Sequence, residues 1–561
     1  MMTELSLLWP DGQPTSTWHI DPETVRDLEL RRIVQKMCSH HTYQEAVQAV
    51  LFQLCHDKAT ICYRQTVLVD LQANVGLAEK LKQLLPLLDE LTQFPYRQMG
   101  RGGSLAEAVG RARELELLVE VVMQLEAAFA SLVEPLQSVG LLALRDRIGE
   151  MVGAAQFQAM AQELPSLLSA LRSHASITIG VNLDEYLRPE AAVLLSANKE
   201  RFTDSSLLSR LLGKRGKNES GIAPLHKPPM IPQGASSAPR RVSPLMVPLF
   251  KDLAKVLEKV AEPVAQALRK YVAINGRFLA ELYSEIVFYI QALGLINDLQ
   301  AAGLRLSYPD IASSEARICR VEAAYNLQLA IQKRSEIMAY GESAQKMDTS
   351  RVVANDIDLG DNGRIAILTG PNQGGKTTYM QSIGLVQVLA QVGLPVPGTK
   401  GQISPVDAIY THYPVEEQLD LGTGRLGDEA HRLRAIFEKA TRHSLLLLNE
   451  SLATTSMGEG LYLARDIVAA FRQIGLRAVF TTHIHELARV TEEINNGVEG
   501  DSLVFSLVAS KPEDAKEVEQ TRTYRIQVGP PLGHSYADQI ATRYGISGKQ
   551  LQALLQKRNL V

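Results

Sequence analysis

The segment from Gly370 to Thr377 has the spacing G-x-x-x-x-G-K-[ST], which is typical of a loop that holds phosphate groups. Glycines let the backbone curl so that successive N–H groups face one phosphate. The side chain of Lys376 can reach the outer phosphates, and the Thr377 hydroxyl can bind Mg²⁺. The residues predicted to hold a nucleotide are Gly370, Pro371, Asn372, Gln373, Gly374, Gly375, Lys376, Thr377 and Thr378.

A second group of polar residues follows four leucines, Leu445 to Leu448, which predict a buried parallel strand. Such a strand delivers the side chains after it to the carboxyl edge of the sheet, where the phosphate loop also opens. Glu450 can polarise a water molecule there against a γ-phosphate. The neighbouring position, where an acid would steady Mg²⁺ through water, is Asn449. Thr377, Asn449 and Glu450 are therefore the predicted metal-binding residues.

His483 follows a third apolar run, Ala478 to Thr482. A histidine at the end of such a strand can contact the γ-phosphate or the attacking water. The alternative is a histidine that only satisfies hydrogen bonds at the edge of the core, and its place after a third parallel-type strand favours function. The predicted catalytic residues are Glu450, His483 and Lys376.

These residues need a strand–loop–helix frame, and the sequence supplies one. Arg364–Thr369 predicts a short buried strand, and residues 378–392 predict an amphipathic helix. The helix N-terminus adds partial positive charge beside the loop. The alternative is an ordinary glycine-rich turn before a helix, and the strand–loop–helix context favours phosphate binding.

The rest of the chain divides into four predicted segments. Residues 1–175 form a helical core domain, rich in Leu, Ala, Glu, Gln and Arg, with Pro86 placed to kink or break one helix. Residues 176–244 form a small β insertion, in which 176–182 pairs with 190–196, and a basic flexible linker. Residues 245–317 form long helices, and residues 318–561 alternate strands with helices as an α/β domain does.

Charge and cysteine content constrain the partners and the cellular location of the protein. The 561 residues carry a formal net charge of -4, so any nucleic-acid surface must be a local patch. Residues 199–241 provide such a patch, at +6, and the predicted DNA contacts are Lys214, Arg215 and Lys217. The alternative for this stretch is a solvated loop. Four scattered cysteines indicate reduced thiols in the cytoplasm, and we found no run of about 18 apolar residues to span a membrane.

Several motifs together resemble the MutS family. Leu368–Met380, followed by Gly393-Leu-Pro-Val-Pro397, is similar to its nucleotide loop, and Asn355-Asp356 before the loop is also typical. Asn449-Glu450 and Thr454–Gly460 resemble the Walker B strand and the loop beyond it. Phe480–Leu487 resembles the histidine switch, and 529–545 resembles the closing segment of that family.

The resemblance implies a multidomain fold with an all-α lever and core, a small β insertion, and an α/β ABC-type P-loop ATPase domain ending in a dimerisation segment. It further implies ATP and Mg²⁺ as cofactors, a homodimer, and DNA, duplex or branched, as the partner of a clamp. Repair or recombination proteins are further expected partners, and the expected location is cytoplasmic and nucleoid-associated. By the same resemblance the residues near the other subunit's nucleotide are Thr423, Gly424, Gly427 and Glu459.

The sequence also departs from the family pattern. Asn449 stands where the family has Asp, which predicts weaker Mg²⁺ binding and slow turnover. Leu426 stands where the family has the serine of its trans-acting loop, so Thr423, Gly427 or the backbone would make that contact. None of the chain's twelve Phe residues begins a Phe-x-Glu motif. Lever-like helices begin close to residue 1 and few residues follow Gly545, so we expect neither mismatch reading by that motif nor an added nuclease module.

Two functions remain open on these grounds. The first is a DNA-dependent ATPase that clamps duplex or branched DNA without mismatch reading, which the basic stretch favours. The second is a nucleotide-gated scaffold with weak ATPase activity and a protein partner, which Asn449 and Leu426 favour.

Overall fold

The computed structural model describes most of the chain. The described residues are 5–14, 17–38, 40–94, 105–172, 176–183, 185–186, 189–198, 262–271, 274, 276–340, 352–414, 424–452, 456–509, 523–531 and 545–558. Lys214, Arg215, Lys217 and Thr423 lie outside these residues, as does most of the predicted closing segment, 529–545.

The described part of the chain is rich in helices. They are α1 (Pro22–Asp27), α2 (Leu30–Met37), α3 (Gln44–Leu51), α4 (Lys58–Ala73), α5 (Val75–Thr92), α6 (Leu105–Ala130), α7 (Val139–Gly153), α8 (Ala155–Arg172), α9 (Arg277–Ala301), α10 (Leu327–Tyr340), α11 (Lys376–Gln391), α12 (Gly424–Phe437), α13 (Met457–Ile474), α14 (His485–Arg489), α15 (Thr491–Gly497) and α16 (Gly548–Lys557).

Short strands connect and flank these helices. They are β1 (Thr17–His19), β2 (Gln53–Cys55), β3 (Ser176–Leu183), β4 (Pro189–Asn198), β5 (Leu306–Ser307), β6 (Asp310–Ile311), β7 (Cys319–Ala324), β8 (Asn355–Leu359), β9 (Ile365–Thr369), β10 (Val396–Pro397), β11 (Lys400–Ile403), β12 (Ile409–His412), β13 (Leu445–Asn449), β14 (Arg477–Thr481), β15 (Val504–Ala509) and β16 (Ile526–Val528).

A six-stranded sheet in the order β12-β13-β14-β9-β15-β16 carries the predicted chemistry. Its first five strands are parallel and only β16 is antiparallel. All residues of β9 and β14 are buried, as are the four leucines of β13. The strands predicted at 364–369, 444–448 and 478–482 are therefore confirmed, and their carboxyl ends share one edge.

A second sheet has the order β6-β11-β7-β8, with three strands from before the phosphate loop in the sequence and β11 from after it. β7 and β8 pair antiparallel, with Cys319 opposite Leu359 and Val321 opposite Ile357. At a coarse level, the many helices and the several sheets agree with the multidomain fold predicted from the sequence.

The chain separates into two compact units. The first contains residues 1–82, 132–143 and 284–561, and the second contains residues 83–131 and 144–283. These units are defined by contacts in space and not by position along the chain, so the three boundaries between the four predicted segments stay predictions.

Within the first unit, the N-terminal helices pack on the α/β domain. The Gln381 side chain donates a hydrogen bond to the Asp27 carbonyl at 3.0 Å, and the Gln391 side chain donates one to the Cys55 carbonyl at 2.9 Å. The Thr24 hydroxyl donates a third to the Ile409 carbonyl at 3.0 Å. Side chains of the phosphate-loop helix α11 and a backbone carbonyl of strand β12 thus contact the first 55 residues.

The described residues of the second unit form helices and one pair of strands. β3 and β4 pair antiparallel, with Ile177 opposite Ala197 and Val181 opposite Ala192, which confirms the predicted pairing. Arg113 on α6 binds both carboxylate oxygens of Glu90 on α5, at 2.7 and 2.8 Å. That bidentate pair fixes the two helices relative to each other.

Some sequence predictions need correction. The predicted helical core domain, residues 1–175, is not all-helical, because it contains β1 and β2, which pair antiparallel. Pro86 does not break its helix, since α5 continues through it. One described helix, α9, is long and apolar enough to cross a membrane, although 61% of its most apolar window is buried, as in a core helix.

Candidate nucleotide-binding and hydrolysis site

The phosphate loop has a backbone that depends on its glycines. Gly370 and Gly375 have φ angles of 141° and 91°, which L residues rarely adopt. A Cβ atom at Gly370 would lie 2.7 Å from the Cβ of Ala509, and one at Gly374 would lie 2.9 Å from the Pro371 carbonyl oxygen. The loop is therefore a cradle with space for a ligand but not for larger side chains at these positions.

Lys376 begins helix α11 and points back into the loop. Its ammonium donates hydrogen bonds to the carbonyl oxygens of Gly370 at 3.0 Å and Pro371 at 3.1 Å. Burial lowers the pKa of Lys376, and the nearby charge of Glu450 opposes that shift. A lysine held by neutral carbonyls in a partly buried loop is a cation that a phosphate anion would stabilise.

Thr377 and Asn449, two of the predicted metal-binding residues, are in direct contact. The Asn449 side-chain oxygen accepts hydrogen bonds from the hydroxyls of Thr377 at 3.1 Å and Thr481 at 2.8 Å. Asn449 lies opposite Thr481 in the register of β13 and β14, which explains the second contact. The sequence did not point to Thr481.

Glu450 and His483 form a pair at the same sheet edge. The His483 Nε2 atom lies 2.9 Å from the Glu450 Oε1 atom, and both side chains are partly exposed. The Glu450 N–H donates to the Thr481 carbonyl at 2.9 Å, and its φ angle is 51°. A non-glycine residue in that conformation stores backbone strain, as residues of functional sites often do.

A cavity of about 480 Å³ opens beside the loop. It is lined on one side by Gln373 to Tyr379 and by Glu450, which agrees with the predicted phosphate site. Gly370, Pro371 and Asn372 do not line it, although the first two bind the ammonium of Lys376.

The other wall of the cavity was missed by sequence reasoning as a binding surface. It contains Asn326, Leu329 and Lys333, at helical spacing along one face at the start of α10, together with Asn355 and Tyr524. The Asn355 side chain donates to the Tyr524 carbonyl at 3.0 Å and accepts from the Ile526 N–H at 2.8 Å. The Asn355-Asp356 motif was the one available signal for this wall.

The predicted trans-acting residues are placed differently from the sequence expectation. Gly424 and Gly427 lie in the first turns of helix α12, not in a loop. Glu459 lies in the first turn of α13, where its N–H and carboxylate contact the Ser456 hydroxyl at 3.4 and 2.8 Å. Ser456 thus caps the helix by accepting the Glu459 N–H, and the Glu459 carboxylate accepts a hydrogen bond from the Ser456 hydroxyl.

The donor set suits a magnesium nucleotide. Mg²⁺ takes oxygen ligands and usually keeps waters and substrate phosphates alongside one or two protein groups. Thr377, Asn449 and Glu450 offer a hydroxyl, an amide oxygen and a carboxylate. Within the described residues no group of three or more His, Cys, Asp or Glu could hold a metal by itself. The cradle and its buried lysine therefore fit ATP with Mg²⁺.

Comparison with protein families gives two matches. Residues 366–546 match the family model of MutS domain V, and residues 56–302 match that of the MutS2 N-terminal domain. Together they cover more than half of the 561 residues. This chain belongs to the MutS family.

Individual relatives are similar to this MutS-family chain over shorter stretches. An Endonuclease MutS2 of Thermomicrobium roseum is 34% identical over 36% of this chain and 24% of its own length. An Endonuclease MutS2 of Thermus thermophilus is 31% identical over 36% of this chain and 28% of its own length. A DNA mismatch repair protein MutS of Brevibacillus brevis is 36% identical over 27% of this chain and 18% of its own length. The chain thus spans under a third of the length of each of these relatives.

Proposed function

We propose that this MutS-family chain is an ATP-dependent DNA-binding protein, an ATPase-gated clamp on duplex or branched DNA in repair or recombination. The observation that carries the proposal is the juxtaposition of the glycine cradle with the Glu450–His483 pair. A phosphate site alone binds a nucleotide, whereas a carboxylate and a histidine at the same edge supply the groups for hydrolysis.

Each residue has a distinct role in this proposal. The backbone of residues 370–378 cradles the phosphates, and Lys376 neutralises the outer ones. Thr377 and Asn449 would hold Mg²⁺. When bound, the metal would stabilise the negative charge on the transferred phosphoryl group. Glu450 orients the attacking water, and His483, hydrogen-bonded to Glu450, senses the γ-phosphate.

Two substitutions test the ATPase. Lys376→Ala should weaken ATP binding and abolish turnover, because the phosphates lose their cation. Glu450→Gln should keep binding, since the amide is nearly isosteric, but should lose hydrolysis. Binding of ATP measured by calorimetry and phosphate release measured in Mg²⁺ buffer separate these effects. Hydrolysis at the wild-type rate in Glu450→Gln would contradict the water-activating role proposed for Glu450.

We also propose a cytoplasmic, nucleoid-associated homodimer with two-fold symmetry. In it Thr423, Gly424, Gly427 and Glu459 would approach the partner's nucleotide, and repair or recombination proteins are further proposed partners. Gly424 and Glu459 each lie in the first turn of a helix, so the contact would come from two helix N-termini. Light scattering with and without ATP and Mg²⁺ tests this, and a monomer under both conditions contradicts it.

A second candidate is a nucleotide-gated scaffold with weak ATPase activity and a protein partner. Asn449 favours it, because its amide oxygen is already shared by two threonine hydroxyls and carries no charge for Mg²⁺. Salt-dependent binding to duplex and branched DNA separates the two candidates. Absence of DNA binding at low salt would favour the scaffold.

A further inference from the structure

We infer that Glu429 is a positioning residue for ATP hydrolysis, because its carboxylate holds the loop that follows the water-activating Glu450. Glu429 lies on α12, and its Oε2 atom accepts a hydrogen bond from the Leu452 N–H at 2.9 Å. The inference rests on the proposed ATPase function and adds a residue that touches neither nucleotide nor water.

The loop after β13 is strained and needs to be held. Glu450 and Leu452 have φ angles of 51° and 64°, so two of three consecutive residues adopt the left-handed conformation. Leucine and glutamate have a Cβ that makes this conformation unfavourable, and it persists only where surrounding contacts over-determine it. The direction of the Glu450 carboxylate therefore depends on the anchors of this loop.

Three neighbouring elements supply those anchors, one for each residue. On one side, β14 accepts the Glu450 N–H at the Thr481 carbonyl, at 2.9 Å. On the other, β12 contributes His412, whose Nδ1 atom lies 2.5 Å from the Ser451 hydroxyl oxygen. The third anchor is Glu429, and it is the only one of the three that comes from a helix.

The contact from Glu429 belongs to a packed region and is not an isolated surface bond. Leu452 is 3% exposed and belongs to the same hydrophobic cluster as Leu433 of α12. Burial raises the pKa of Glu429, while the Leu452 N–H and the charge of Arg432 oppose that shift. Arg432 itself donates to the Tyr413 carbonyl and to Glu23, at 3.0 and 3.3 Å, whereas the Glu429 carboxylate accepts the Leu452 N–H.

This arrangement links the proposed dimer contact to the catalytic carboxylate. Helix α12 begins at Gly424, one of the proposed trans-acting residues, and Glu429 lies little more than one turn further along. A shift of the helix N-terminus is therefore transmitted through Glu429 to the Leu452 N–H, and from there along two residues to Glu450.

Three variants test the inference. Glu429→Ala removes the acceptor and should lower kcat about tenfold to a hundredfold, because small misplacement of a catalytic group costs that much. Affinity for a non-hydrolysable ATP analogue should stay within about twofold, since Glu429 does not line the cavity. Glu429→Gln keeps an oxygen that accepts the Leu452 N–H and should restore most of the rate. Glu438→Ala, directly after the end of α12 and in an exposed pair with Arg434 of that helix, is the matched control and should leave kcat unchanged.

Hydrogen–deuterium exchange gives a readout independent of hydrolysis. Peptides that contain Leu452 should exchange faster in Glu429→Ala than in the wild type, Glu429→Gln or Glu438→Ala proteins. Three results would each overturn the inference. They are a wild-type kcat in Glu429→Ala, an equal loss of kcat in Glu429→Gln and Glu429→Ala, and unchanged exchange at Leu452 in Glu429→Ala. If the wild-type protein binds ATP but releases no phosphate, the proposed ATPase fails while the exchange result still decides whether Glu429 holds the loop.

Discussion

Among single residues, Asn449 most affects the expected rate of hydrolysis, because its side chain is an amide and not a carboxylate. Its oxygen accepts hydrogen bonds from Thr377 and Thr481, and its nitrogen can only donate. An aspartate at this position would accept both hydroxyls with one oxygen and leave the second for a water bound to Mg²⁺. Asn449 therefore holds the two threonines without adding a negative charge to that of Glu450 at the proposed metal site.

Asn449→Asp should raise turnover or lower the Mg²⁺ concentration that gives half-maximal hydrolysis. Phosphate release measured across a Mg²⁺ titration tests both effects. Asn449→Ala is the control. It removes the acceptor for both threonine hydroxyls and should raise the Mg²⁺ concentration that gives half-maximal hydrolysis. No change, or a loss, in Asn449→Asp would indicate that the surrounding site has adapted to the amide.

Among the elements, α10 connects the cavity wall to the phosphate loop through its first residues. The Asn326 side-chain oxygen accepts the Leu329 N–H at 2.9 Å, which caps the helix. Its nitrogen donates to the Thr378 carbonyl at 3.0 Å, in the first turn of α11. One buried side chain thus fixes α10 against the helix that carries Lys376 and Thr377.

Asn326→Ala should lower the free energy of unfolding by roughly 1 kcal/mol, as loss of a cap does, and should also weaken ATP binding. Asn326→Asp keeps the capping oxygen but cannot donate to the Thr378 carbonyl, so it should recover stability without recovering affinity. Urea unfolding and calorimetry measure the two quantities. Asp57→Ala removes the cap of α4, where Asp57 accepts the Thr60 N–H at 2.8 Å, and should cost stability alone. Recovery of ATP affinity in Asn326→Asp would contradict the proposed donor role.

For the whole molecule, the proposed function predicts that nucleotide binding and DNA binding are connected. The basic stretch 199–241 carries +6 in a chain of net charge -4, and it lies outside the described residues. Charge contacts with phosphates release counterions, so they make DNA affinity depend steeply on salt. ATP should change DNA affinity, and DNA should change ATP affinity by the same factor, because linkage is reciprocal.

Replacing Lys214, Arg215 and Lys217 together with Gln should flatten the salt dependence of DNA affinity by up to about three units, at roughly 0.9 per phosphate contact. Fluorescence anisotropy at several salt concentrations measures the slope. A matched triple replacement of Lys549, Lys557 and Arg558, all exposed near the described C-terminus, should leave it unchanged. An unchanged slope in the first variant excludes these residues as DNA contacts.

The same measurement addresses mismatch reading. Matched and mismatched duplexes should bind nearly equally, since no Phe-x-Glu motif is present to wedge beside a base. A branched substrate should bind better, because a clamp can enclose two arms. A strong preference for a single mismatch would contradict the proposal that this chain does not read mismatches.

The sequence by itself determined the phosphate loop, because Lys376, Thr377 and the glycines act within eight consecutive residues. It also determined that Glu450 and His483 end buried strands, since runs such as Leu445–Leu448 have a local apolar signal. Their shared edge followed from the general rule for parallel strands. Only the tertiary structure decided that β13 and β14 are neighbours in the sheet and that the two side chains lie 2.9 Å apart.

Other parts of the site had no local signal at all. Tyr524 lies more than 140 residues after the phosphate loop, and Asn326 lies about 50 residues before it, yet both line the same cavity. The hydrogen bond from Leu452 to Glu429 and the packing of residues 1–82 with the α/β domain are likewise contacts between distant segments. Periodicity and spacing report how each element forms, but such contacts depend on how the elements pack, which only the folded chain specifies.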